Sequence, residues 1–164
     1  MGRILEEAIS EAKRILIDLQ IEPPVILADI AEYLGVEYLE RVLNPDIDGF
    51  FFRTSDACGH VVVNRHPVKS EGRKRFTACH EFYHGITAAE GYHIYCLEAA
   101  STPSSPTEFA CNKFAAELLM PAEPFREWWQ ELRHNKDFRE SILAERFGVT
   151  MEALRIRIKE LRLR

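Results

Sequence analysis

The string His80-Glu81-Phe82-Tyr83-His84 constrains this chain more than any other feature. Two imidazoles four positions apart lie one turn above each other on a helix, where they can grip a single metal ion. The surrounding stretch, from about Lys74 to Ala89, contains no proline and suits a helix. Glu81, beside the first histidine, is badly placed to share its metal bond and well placed to reach a water from the side. A general base belongs there, so the pattern points to metal-assisted hydrolysis.

A catalytic zinc ion ordinarily takes three protein ligands and keeps one position open, so a third His, Glu or Asp must come from elsewhere. Glu108 is the candidate. It opens the next helix after a serine, threonine and proline loop long enough to turn back across the first helix. Asn112, one turn further on, can hydrogen-bond a ligand histidine or a substrate backbone. Ser105-Pro106-Thr107-Glu108 equally matches a capping box, in which the glutamate only bonds the cap's own N–H, and spacing alone leaves the two readings even.

Glu117 competes as third ligand, although an exposed or salt-bridged helix residue is its simpler reading. His93 in GYHIY could bind metal or steady an oxyanion, but a loop histidine is more often solvated. Tyr83, Tyr92 and Tyr95 could donate to a tetrahedral intermediate, with packing the simpler role for each. Cys79 and Cys111 read as small buried hydrophobes.

Around this centre the periodicity predicts a helix from Ile4 to Leu19 and a second from Ile26 to Leu34, closed by Gly35. VEYLERV, GFFFR and HVVVN read as strands of a small antiparallel sheet. Phe109 to Met120, almost wholly apolar, predicts a deeply buried helix stopped by Pro121. Three further helices are expected over Phe125–Leu132, Phe138–Phe147 and Met151–Leu161, the last capped by Thr150.

A chain of 164 residues with 46% apolar and 29% charged residues suits one globular domain. Within it, residues 1–35 form leading helices, 36–121 the sheet and catalytic core, and 122–164 a C-terminal helical subdomain resembling a helix-turn-helix. A formal net charge of -5 gives no general field for gathering nucleic acid. The four cysteines lack CxxC spacing, and the amino terminus lacks a basic region followed by an apolar stretch, which together suggest reduced thiols in a cytoplasm. No apolar run suits a membrane span.

Two blocks, GRKRFTACHEFYH from Gly72 and EFACNKFAAELLMP from Glu108 to Pro121, resemble the ImmA/IrrE family of metallo-endopeptidases. The family's core reads N-R-x-R-F-T-x-A-H-E-x-x-H, then E-x-x-A-N-x-F-A-A-x-L-L-M-P. The likeness extends from the PVxLxxIAxxLGV-like stretch near Pro24 to the closing FGVT-MEALRIRIKEL segment. It implies that His80, His84 and Glu108 are metal ligands, that Glu81 is the catalytic glutamate, and that Asn112 is the family asparagine. It also implies cleavage of a helix-turn-helix repressor, commonly encoded nearby, and hence a role in transcription regulation. Cys79 and Cys111 replace the usual alanines, while Phe82 and Tyr83 replace small or aliphatic residues; neither departure is expected to touch a ligand.

The resulting expectation is an α+β, mostly helical domain with its sheet packed on the HExxH helix in a zincin-like arrangement. Zinc is the default metal, although manganese or iron also suits a His-His-Glu set. The rival from another class is a DNA-binding regulator, motivated by the helix pair around GVT and by Arg155, Arg157, Lys159, Arg162 and Arg164. Ile156 and Ile158 on the same helix, and the net charge, weigh against it. A noncatalytic metal-binding partner protein is the third reading, and the intact Glu81 argues against that one.

Overall fold

Ala8, Ala12 and Ile15 recur at helical spacing and are fully buried, which fixes the inner face of helix α1, Gly2–Leu19. That face lies against a later helix, α4, Pro106–Leu119, and the alanines let the two backbones approach closely. The computed structural model describes residues 2–53, 58–88, 93–98 and 105–164, the side chains of 93–98 excepted.

Helix α2, Leu27–Leu34, ends at Gly35, whose φ of 64° lets its N–H reach the Ala31 and Glu32 carbonyls. Strands β1 (Val36–Arg41), β2 (Ile47–Arg53) and β3 (Gly59–Asn64) follow. Next come α3 (Glu71–Thr87), β4 (His93–Glu98), α4, α5 (Ala122–Glu131), α6 (Arg139–Phe147) and α7 (Met151–Glu160). The α+β class expected from the sequence is what forms. Among the described residues no helix is long and apolar enough to cross a membrane.

The sheet departs from expectation in two respects. Its order is β1-β3-β2-β4, and β1 runs parallel to β3, so it is mixed rather than antiparallel throughout. The other two pairings, β2 with β3 and β2 with β4, are antiparallel. Asn64, fully buried at the end of β3, accepts from the Leu43 N–H at 2.9 Å. It also donates to the Asn44 and Ile47 carbonyls at 2.9 and 2.7 Å. One side chain thus fastens the β1–β2 connection across the end of β3, and no periodicity in the strands announces that. The second correction concerns HIYCLE, taken above for loop, whose backbone is strand β4; the side chains of His93 and Tyr95, and the whole of Tyr92, lie outside the described residues.

Helix α3 begins at Glu71, earlier than the composition suggested, because the Ser70 hydroxyl accepts from the Arg73 N–H. It covers the sheet face carrying Phe51, Val61 and Val63. Asp48 in β2 ties the helix down, with Arg73 Nε donating to it at 2.7 Å and Lys69 Nζ 2.8 Å away.

Gly49 permits that approach. A Cβ there would sit 2.6 Å from Thr77 Cγ2 and 2.7 Å from the Val62 carbonyl oxygen. Gly49→Ala is therefore expected to lower unfolding free energy by about 1–3 kcal/mol through overpacking. A urea midpoint equal to that of the unsubstituted protein would show that α3 can yield at this point.

The C-terminal helices close the other side of α4. Phe125 stacks on Phe147 at 5.1 Å between ring centroids, and the Arg139 guanidinium lies 4.1 Å from the Trp129 ring. Gly148, at φ 65°, ends α6, and Thr150 caps α7 by accepting from Ala153 N–H at 3.1 Å.

Candidate metal centre

His80 in the middle of α3 and His84 in its last turn lie where the helix is pressed between the sheet and α4, so both imidazoles are almost wholly buried. Their ring centroids are 5.0 Å apart. From α4, Glu108 presents one carboxylate oxygen to each ring, with His80 Nε2–Oε2 and His84 Nε2–Oε1 both at 3.1 Å. The Ser105 hydroxyl does cap α4, accepting from the Glu108 N–H at 3.2 Å. The cap is made by the Ser105 side chain and the Glu108 backbone, while the Glu108 carboxylate, which the capping-box reading assigned to the cap's N–H, faces the histidines.

Asn112, one turn beyond Glu108, places Oδ1 2.9 Å from His80 Nδ1. An amide oxygen only accepts, so Nδ1 carries the proton and Nε2 presents a bare lone pair. That lone pair meets a carboxylate oxygen, and Nε2 makes no hydrogen bond of good geometry. Two acceptors at 3.1 Å repel unless a cation lies between them, and a metal ion fits that requirement. Burial above all pushes His84 down to about 4 despite Glu108, which keeps this imidazole neutral and able to ligate.

Glu81 is fully buried, and neither of its oxygens makes a hydrogen bond of good geometry. Burial raises its carboxyl well above the usual range, the negative Glu108 adds to this, and the backbone N–H of Phe51 acts the other way. A buried carboxyl with so displaced a titration is a candidate for a functional group.

The structure adds a residue that sequence reasoning set aside. Cys111, fully buried on α4, has Sγ 3.5 Å from His84 Nε2. Ligand atoms of His80, His84 and Cys111 all lie within 4.8 Å of one another, so these three can hold a metal ion. The expectation that Cys111 would not touch a ligand is thereby corrected. Its only sequence signal was the i, i+3 spacing from Glu108. Burial favours its neutral thiol in the metal-free chain, a preference that a coordinated divalent ion reverses.

Glu117 is not part of this cluster: it is buried and paired with Arg157 from α7, at the far end of α4. Cys79 is a buried core residue, and Tyr83 packs its ring 4.9 Å from that of Phe114. A cavity of about 490 Å³ borders the centre through Glu108 and Asn112, with apolar walls that include Phe76, Phe109, Met120 and Ile156 and charged side chains from α3, α4 and α7.

A buried His-His cluster on one helix, completed from a second and flanked by a carboxylic acid, defines a metallopeptidase-type site. A family model described as IrrE N-terminal-like domain matches residues 31–159, and the chain belongs to that peptidase family. The matched region holds every residue of the centre and leaves α1 outside. No curated protein matches the chain.

Proposed function

We propose that this protein is a zinc-dependent endopeptidase of the cytoplasm, with His80, His84 and Glu108 as metal ligands and Glu81 as general base. The observation that carries this reading is the convergence of both imidazole Nε2 atoms on the Glu108 carboxylate at 3.1 Å, beside the fully buried Glu81. A divalent ion held there supplies Lewis acidity, polarising the scissile carbonyl and acidifying the attacking water. Glu81 accepts the proton released as the water attacks and returns it to the leaving amine. Asn112 fixes the His80 ring through Nδ1 and so keeps Nε2 aimed at the centre. Zinc suits the donor set best, with manganese or iron as alternatives.

For substrate, we infer a helix-turn-helix repressor, on the strength of family membership. Cys58, Cys79 and Cys111 are free thiols, which fits a reducing compartment. The DNA-binding reading loses support from the same helix that suggested it: Arg157 is buried against Glu117, and Arg155 pairs with Glu140 at 2.8 Å.

The test is metal analysis followed by cleavage. The protein is expected to hold about one zinc, and Glu108→Ala to weaken zinc binding by more than about 100-fold, beyond what loss of an outer-shell partner does. Zinc-loaded protein should then cleave the repressor encoded nearest to it, read by mass of the fragments. A chain that takes up no divalent metal would end the peptidase reading. A loaded chain that leaves the repressor intact, with Cys111 present and with Cys111 replaced by alanine, would end the substrate assignment alone.

A further inference from the structure

We propose that Cys111 is a fourth protein ligand to the metal at His80, His84 and Glu108, closing the position that water needs and holding the peptidase latent until the thiolate lets go. The inference rests on the metal-centre reading above and deepens it by adding a control of that site.

Helical geometry places Glu108, Cys111 and Asn112 at i, i+3 and i+4, one side of α4, and that side faces His80 and His84. Zinc–sulfur and zinc–nitrogen bonds of about 2.3 and 2.05 Å at a tetrahedral angle put sulfur and nitrogen roughly 3.6 Å apart. Cys111 Sγ lies 3.5 Å from His84 Nε2, which matches that edge. The corresponding oxygen–nitrogen edge is roughly 3.4 Å, and the Glu108 carboxylate stands 3.1 Å from each ring. The thiol therefore sits at ligand spacing from His84 in the metal-free chain, and within 4.8 Å of the His80 ligand atom, with no rearrangement of α4 against His84 needed.

The second observation is His80 Nε2, fully buried and without a hydrogen bond of good geometry, aimed into the same space. The comparison cysteines lack this setting. Cys58 is exposed and its sulfur lies 2.9 Å from the Gly35 carbonyl oxygen, and Cys79, though buried, belongs to no cluster of metal-binding groups among the described residues.

The ligation balances without a redox partner. The S–H bond of Cys111 breaks, a sulfur lone pair forms the bond to the metal, and the proton leaves to solvent. Metal uptake by the wild type thus releases a proton that a Cys111→Ala variant does not release at that position. Hydrolysis requires the reverse step, in which the sulfur leaves the metal and takes up a proton, so the variant is expected to cleave substrate faster than the wild type.

Cobalt(II) is the probe, added to the full chain after chelation. Wild type and Cys79→Ala should show a sulfur-to-cobalt charge-transfer band in the near ultraviolet, and Cys111→Ala should lack it. The same variant should bind zinc at least about tenfold more weakly in competition with a chelator. Cys111→Ser serves if the alanine variant fails to fold. Cobalt bound by the wild type with no sulfur band, or a band that survives in Cys111→Ala, overturns the proposal and leaves the peptidase reading standing. Failure of the wild type to take up cobalt or zinc overturns both.

Discussion

Glu81→Gln is expected to hold zinc and fold as the wild type does while cleaving substrate slower by about 10²–10⁴-fold, the range a positioned general base contributes. The amide matches the carboxylate in shape but accepts no proton from water. It also removes a burden on the fold, because Glu81 is fully buried with neither oxygen in a good hydrogen bond, and burial raises its carboxyl well above the ordinary range. The metal-free variant should accordingly melt no lower than the wild type, and a higher melting temperature would match the pattern of stability given up for activity. Zinc content, melting and cleavage are measured on the same preparation. Cleavage at the wild-type rate would remove Glu81 from the mechanism. Loss of zinc along with activity would make it a residue that shapes the metal site instead of one that moves a proton.

The second large effect lies at the other end of α4. Arg157 is buried on α7, where its guanidinium pairs with buried Glu117 and its Nε donates to the Met120 carbonyl at 3.0 Å. Arg157→Met leaves a carboxylate in the interior without its cation, at an expected cost of about 3–5 kcal/mol, measured by urea denaturation. The double replacement Glu117→Leu with Arg157→Met should recover most of that loss, since an apolar pair of similar volume has no charge to desolvate. The cycle of single and double variants isolates the coupling between them. A single variant that loses less than about 1 kcal/mol would mean that water reaches Glu117 and screens it.

These experiments separate two uses of charge along one helix. Glu117 spends its charge on fastening the C-terminal helices to α4, whereas Glu108, nine positions earlier on the same helix, faces the two histidines of the candidate centre. Both are glutamates within the mainly apolar stretch that marks α4, and both were candidates for the third ligand on sequence grounds. What distinguishes them is the element opposite: α3 brings imidazoles to Glu108, and α7 brings a guanidinium to Glu117.

Helix positions were legible wherever a local signal acts within one turn. The Thr150 cap, the left-handed Gly35 and the apolar spacing of α1 each follow from contacts three or four residues long. The start of α3 was read late because the cap that sets it, Ser70, precedes a polar first turn with little apolar periodicity. Strand β4 was taken for loop because its neighbours Gly91 and the serine-proline cluster dominate the local composition. Strand direction was not legible at all, since parallel β1 and antiparallel β2 carry the same kinds of residue, and the Asn64 bonds that fasten their connection join positions some twenty residues apart.

By itself the sequence determined the donor types and their helical spacing: two imidazoles one turn apart with an acid beside the first, and an acid followed one turn later by an amide. Those are properties of single helices and follow from 3.6 residues per turn. Only the tertiary structure decided that the two helices meet face to face, that Glu108 rather than Glu117 lies opposite the histidines, and that Cys111 stands at ligand distance. Such pairings depend on which buried faces satisfy one another across the core, and that matching is made between elements far apart in the chain.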